Sequence, residues 1–126
     1  MKLFHRSYDG GPDSGVTGYW LIEWKRLFSI CLLKFNPNHR ENFHSHAFNA
    51  LTWWIKGEAT EELLDGSLLS WKPSIMPKFT PKHNIHKIHV TDTVYALSIR
   101  GPWDRTWIEV TPEGNTITLS KGRKRI

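Results

Sequence analysis

Short runs of branched and aromatic residues recur along the chain, separated by clusters rich in Gly, Pro, Asn, Asp and Lys. Tyr19 to Trp24, Phe28 to Phe35, Leu51 to Ile55, Thr60 to Leu64, Ser67 to Trp71, His86 to Val90, Val94 to Arg100, Thr106 to Val110 and Thr116 to Leu119 have the composition of strands, because β-branched and aromatic side chains pack well on a pleated surface. No segment sustains a helical period with capping residues. Many short strands without intervening helices predict an all-β fold, a sandwich, jelly roll or barrel, and exclude a βαβ arrangement.

The sharpest turn falls in Glu61-Glu62-Leu63-Leu64-Asp65-Gly66-Ser67-Leu68-Leu69-Ser70, where Asp65-Gly66 suits the positive φ angles of a two-residue hairpin turn. Residues 8–18 are dense in Gly, Pro and Asp and read as a loop, so 1–18 is expected to form an N-terminal arm. Neither an internal repeat nor a linker interrupts the chain. One domain over residues 1–126 is therefore expected, long enough to bury a core without disulfide staples.

Composition narrows the class. Hydrophobic residues make up 39% and charged residues 23%, which excludes a disordered chain. The single cysteine, Cys31, excludes an intramolecular disulfide, and its neighbours Ile30 and Leu32 mark it as buried filler. Met1 to Ser7 has no apolar stretch of the leader type, and no run approaches the ~18 apolar residues that a membrane helix needs. No membrane partner and a cytoplasmic location are expected. Lys121, Arg123, Lys124 and Arg125 supply four of the 17 basic residues, leaving 13 against 12 acidic ones, so the net charge of +5 belongs mostly to the tail. A basic tail over 120–126 permits weak phosphate contacts but gives no reason to expect a nucleic-acid partner otherwise.

The chemistry lies in the histidines. His44-Ser45-His46 places two imidazoles two residues apart, on the same face of a strand and about 6.5–7 Å apart at the backbone, within reach of one ion. A facial site needs a third ligand, and Pro81-Lys82-His83-Asn84-Ile85-His86-Lys87-Ile88-His89-Val90 offers one. Strand alternation favours His86, which shares a face with Ile88 and Val90 while His89 points away. His83 takes its place if a bulge shifts the phase.

The run His44-Ser45-His46-Ala47-Phe48-Asn49-Ala50-Leu51-Thr52-Trp53-Trp54-Ile55-Lys56-Gly57-Glu58 resembles the first cupin motif, His-x-His followed usually by Glu and then by Gly seven residues later. Gly57 keeps its place, but Ala50 stands where the glutamate ligand is usual. Residues 72–88, with Pro73, Pro77 and Pro81 leading into His86, resemble the second motif. The two regions with their connecting hairpin span positions 40 to 90. The resemblance, to small single-domain cupins of bacteria and phages, implies a jelly-roll β-barrel and a three-histidine site, without the fourth ligand. It also implies a divalent transition metal, with Fe first for catalysis and Zn or Ni as alternatives, and a homodimer formed through edge strands.

Cupins with three-histidine sites resemble dioxygenases of thiols and diketones. The leading expectation is thus iron-dependent oxygenation of a small organic acid, thiol or diketone. The alternatives are a non-catalytic cupin that captures a sugar, nucleotide or other small metabolite, and a metal-free sugar-nucleotide isomerase or epimerase using a histidine as base. If the strand from His44 runs unbroken to Ile55, parity turns Thr52 and Trp54 inward to meet a ligand. Arg100, before Gly101-Pro102, could anchor a carboxylate or phosphate, although a lone cation there reads more readily as a surface side chain. One of Glu61 and Glu62, but not both, can face inward as a further ligand or base.

Overall fold

The computed structural model describes residues 1–8, 15–37, 43–111 and 113–120, together with the backbone of Lys124 and Arg125. Its strands are β1 (Lys2–Tyr8), β2 (Val16–Trp24), β3 (Phe28–Phe35), β4 (Phe43–His44), β5 (Ala50–Lys56), β6 (Ala59–Leu63), β7 (Leu68–Trp71), β8 (Lys78–Thr80), β9 (His86–His89), β10 (Val94–Arg100), β11 (Thr106–Val110), β12 (Thr116–Ser120) and β13 (Lys124–Arg125). They form two antiparallel sheets. A six-stranded sheet runs β1-β2-β3-β10-β5-β8, and a seven-stranded sheet runs β13-β12-β11-β4-β9-β6-β7. The architecture is the all-β jelly roll expected, built of two sheets that do not close into one barrel. Among the described residues no helix is long and apolar enough to cross a membrane.

Alternation decides what faces the interior. In β10 every second residue, Val94, Ala96, Ser98 and Arg100, is buried. Register aligns these with Phe35, Leu33, Cys31 and Ser29 of β3 and, from Ala96 onwards, with Trp54, Thr52 and Ala50 of β5. The core forms from that inner layer. Trp20, Cys31 and Leu33 pack with Val16, while Trp54 packs with Ala59, Val94 and Ala96 and carries Phe35, Trp71, Ile88 and Val90 at its margin. Ala47, Phe48 and Ala50 fill the end near Trp103 and Trp107.

Several expectations fail for identifiable reasons. The supposed arm over 1–18 contains β1, which pairs with β2 from Lys2–Glu23 to Tyr8–Thr17, and β2 itself begins at Val16. Leu3 and Phe4 are adjacent rather than alternating and the strand is exposed along nearly its whole length, so this edge strand carries no period-two signal and looks like coil in composition. The β6–β7 connection is not a two-residue turn. Gly66 alone has positive φ, +88°, while its N–H reaches the Leu63 carbonyl at 3.0 Å and the Leu63 N–H reaches Ser67 at 2.9 Å, which makes a three-residue loop closed by glycine. The strand from His44 does not run on to Ile55. β4 ends at His44 in one sheet and β5 starts at Ala50 in the other, so residues 45–49 cross between them. At the other end of the chain, Lys124 and Arg125 pair with β12. The side chains of the basic tail, 121–126, and the loop over 9–14 lie outside the described residues.

Gly57 turns the chain from β5 to β6 at φ +87°, and a Cβ there would lie 2.9 Å from Val94 Cγ2 and 3.1 Å from the Thr93 carbonyl. Gly66 has the same φ with open space around it. Gly66→Ala should therefore lose about 1–2 kcal/mol from backbone strain alone, and Gly57→Ala about 2–4 kcal/mol, because Val94 is fully buried and cannot retreat. Urea denaturation of the two variants checks this ordering.

Candidate metal centre

His44 and His86 are cross-strand partners in adjacent β4 and β9. Directly opposed residues on an antiparallel pair project from one face with Cβ atoms about 4.5–5.5 Å apart, so these two imidazoles meet by register. His46 arrives differently. It sits just beyond β4 on the crossing segment, where its N–H bonds the Lys82 carbonyl at 3.2 Å and the preceding Ser45 N–H bonds the Ile108 carbonyl at 2.9 Å. The three rings stand nearly edge-to-face, with centroids 4.9 Å (44–46), 5.2 Å (44–86) and 4.9 Å (46–86) apart. One ring nitrogen from each lies within 4.8 Å of the others. Side-chain rotations that close this spacing by about an ångström would suit bonds of ~2.0–2.1 Å to a single ion.

The donor set fits a transition ion. Burial lowers the His46 imidazole well below its ordinary pKa, and the neighbouring His44, His86, Arg100 and Lys78 push it the same way. Burial also lowers His86, against the pull of Glu61. Both rings are thus neutral near pH 7, and neutral imidazole is the form that ligates Fe, Zn, Ni or Cu. His46 Nδ1 is buried with no hydrogen-bond partner among the described residues, as befits a ring with one nitrogen kept for a cation.

Behind His86 stands Glu61, 1% exposed. It faces inward because β6 pairs it with Ile88, diagonal to His86 on β9. Its Oε2 accepts from His86 Nδ1, from Lys78 Nζ at 3.1 Å and from Asn84 Nδ2 at 3.1 Å, and its Oε1 accepts from Trp71 Nε1 at 3.2 Å. Burial alone would raise this carboxyl. The hydrogen bond from His86 and the Lys78 ammonium outweigh it and hold Glu61 down at about 2. An ionised Glu61 fixes the proton of neutral His86 on Nδ1 and leaves Nε2 as the free lone pair.

The opposite wall belongs to the six-stranded sheet. Arg100 is 3% exposed, with its guanidinium 5.1 Å from the Trp20 ring and 4.5 Å from Phe48, and with Nε donating to Ser98 Oγ at 3.3 Å. Phe48 in turn lies 5.3 Å from the His46 ring, so one aromatic side chain contacts both the cation and an imidazole. Trp54 is buried on the same inner face, and its Nε1 has no hydrogen-bond partner among the described residues.

No known family profile matches the chain, and no curated protein matches it. Solved structures do. The polyketide cyclase RemF from Streptomyces resistomycificus matches with a TM-score of 0.70 and 20% identity, over 88% of this chain and 86% of that one. An RmlC-like cupin from Shewanella frigidimarina matches at 0.59 and 17%, over 75% and 81%. A cupin superfamily protein from Desulfitobacterium hafniense matches at 0.56 and 22%, over 69% and 77%. The chain has the cupin fold.

Within this fold the predicted residues separate clearly. His44, His46 and His86 converge, whereas His83 is exposed and outside the group. His89 points outward and pairs with Glu62 at 2.9 Å. Ala50, in the position usual for glutamate, is buried beside Arg100 and Thr80 by register. Thr52 and Trp54 do face inward, but through pairing with Ser98 and Ala96, since the unbroken strand assumed for them does not exist. Arg100 is not a surface cation. Strand alternation puts it inside, and two aromatic faces replace part of its hydration. Lys78 and Asn84 were missed because only the tertiary structure brings them to Glu61. Glu109, buried directly opposite His44 on β11, was missed as well, although its place two residues after Trp107 in a strand was a signal that it could face inward.

Replacing Glu61 with Ala leaves the Lys78 ammonium without its carboxylate and should cost about 3–5 kcal/mol, as for other broken buried pairs. Glu62→Ala, which removes partly exposed pairs to Lys87 and His89, should cost less than about 1 kcal/mol. Chemical denaturation at neutral pH compares the two.

Proposed function

We propose that this cupin is a metal-dependent enzyme that holds one divalent transition ion on His44, His46 and His86 and acts on a small organic acid. The observation that carries the reading is the convergence of three imidazoles, one of them anchored by a buried carboxylate, beside a buried arginine. Iron-dependent oxygenation of an organic acid, thiol or diketone is the leading reaction, with Zn or Ni directing the site to non-redox chemistry. An ion held by three neutral ligands keeps its full charge and open positions, so when bound it polarises a carbonyl or enolate and, if it is iron, supplies redox chemistry with dioxygen.

The chain's own residues do the rest. Glu61 keeps the His86 ring in one orientation and one tautomer. Arg100 offers its positive field to a substrate carboxylate, and low dielectric between the sheets strengthens that attraction. Trp54 Nε1 and the Thr52 hydroxyl are donors on the same inner wall. Trp20, Phe48 and Trp54 exclude water around the reacting groups. We place the protein in the cytoplasm, where a ferrous ion and the Cys31 thiol stay reduced.

Ala50 favours a second reading, a non-catalytic cupin that captures a small metabolite, because it withholds the usual carboxylate ligand. A metal-free sugar-nucleotide isomerase would instead use one of the histidines as base. Metal content separates the three. Tag-free protein reconstituted with ferrous ion should bind about one equivalent, and His44→Ala or His46→Ala should bind less than about a tenth, while His83→Ala and His89→Ala bind as the parent does. Oxygen uptake with organic acids, thiols and diketones then distinguishes turnover from capture. Less than about a tenth of an equivalent on the parent protein would end the metal-dependent reading.

A further inference from the structure

At position 50 the inner wall of the six-stranded sheet offers only a methyl group. Ala50 opens β5 and is buried, packed with Ala47 and Phe48. Its backbone is pinned from two directions. The Asn49 carbonyl accepts from the Gly101 N–H at 2.9 Å, and Asn49 Oδ1 accepts from the Lys82 N–H at 2.8 Å.

The neighbours of that methyl are long and charged. Register sets Ala50 between Arg100 on β10 and Thr80 on β8. Directly opposed residues share a face with Cβ atoms about 4.5–5.5 Å apart, so both side chains flank it. Arg100 is buried, with Nε donating to Ser98 Oγ. Thr80 is buried too, and its Oγ1 accepts from Lys78 Nζ at 2.8 Å, which draws an ammonium back along β8 toward position 50. One cation therefore stands on either side of Ala50. Both lie close enough to His46 to push its imidazole down, so they border the three-histidine group itself.

Two buried cations beside one site attract an anion, and low dielectric strengthens the attraction. Lys78 is not used up by Glu61, because an ammonium has three donors and, among the described residues, Glu61 and Thr80 take two. Three imidazoles on one side of an ion leave coordination positions open. A glutamate at position 50 would supply an oxygen from the protein, whereas alanine leaves that oxygen for a ligand to bring. A carboxylate suits the place, with one oxygen for the ion and the other for Arg100 and Lys78. Along β5 the next inward residues are Thr52 and Trp54, so the rest of the acid meets a hydroxyl and then an indole wall. A hydroxyl, oxo or thiol group on the carbon beside the carboxylate closes a five-membered ring at the same ion.

We propose that the substrate's own carboxylate takes the place of the side chain missing at Ala50, between Arg100 and Lys78, and that the substrates are short acids with a hydroxyl, oxo or thiol group on the carbon beside that carboxylate. This rests on the three-histidine reading and narrows it, since the acid becomes a ligand of the centre as well as a partner of Arg100.

Cobalt(II) binding to the full chain, measured by competition with a chromophoric chelator and corrected for cobalt held by free acid, tests it. Glycolate should tighten binding to the parent at least about tenfold and uncharged glycolamide should leave it unchanged, because ligands that share a centre raise each other's affinity by the same factor. Acetate, which cannot close the ring, should give a gain at least about threefold smaller than glycolate. Ala50→Glu should bind cobalt at least about tenfold tighter than the parent without any acid, and glycolate should then add less than about twofold. Arg100→Gln should still bind cobalt and lose most of the glycolate gain. If either variant loses its β-sheet circular dichroism, the order glycolate, acetate, glycolamide on the parent decides alone. A parent that binds cobalt without responding to glycolate overturns this proposal and leaves the metal centre standing, whereas a parent that binds no cobalt overturns both. An equal gain from glycolamide, or an undiminished glycolate gain in folded Ala50→Glu, also overturns it.

Discussion

A carboxylate between two sheets must find partners, and the way Glu61 finds them organises the interior. Its transfer from water into low dielectric is unfavourable by several kcal/mol unless cations and hydrogen-bond donors compensate. Lys78 comes from the six-stranded sheet, Trp71 and His86 from the seven-stranded sheet, and Asn84 from the turn before β9. One charge therefore ties both sheets together at a chosen separation. It also sets the orientation of a histidine that faces two others. Stability and site geometry here share a single interaction.

That arrangement explains how the fold carries three imidazoles without a regular His-x-His strand. Two of them meet by direct pairing of β4 and β9, which any antiparallel register of this kind would produce. The third depends on an irregular segment leaving one sheet for the other, held by backbone bonds to Lys82 and Ile108. Ordered backbone where the chain changes sheets is what turns a paired dyad into a three-sided cluster. On the facing wall, Arg100 keeps its charge inside by lying between Trp20 and Phe48.

The strands themselves were readable because period-two patterning and branched residues reflect packing within a pleated sheet. Phe28–Phe35, Val94–Arg100 and Thr106–Val110 have the bounds that composition suggested. β1 was not readable, since an edge strand exposed along both faces carries no apolar alternation. β8 was hidden by its shortness and its prolines nearby. The inward turn of Glu61 rather than Glu62 required knowing which residue of β9 stood opposite, and alternation alone leaves that parity free.

Local sequence determined most of the strands, the inner position of Cys31 and the histidines that are candidates for a shared centre, because these follow from side-chain period and residue chemistry. Tertiary structure decided the breaks and the partners. It placed residues 45–49 as a crossing, closed the hairpin in three residues, drew Lys78 and Asn84 to Glu61, and buried an arginine that composition suggested was exposed. Pairings between residues far apart in the chain depend on register across strands. No window of sequence contains that register, so only the assembled sheets could supply it.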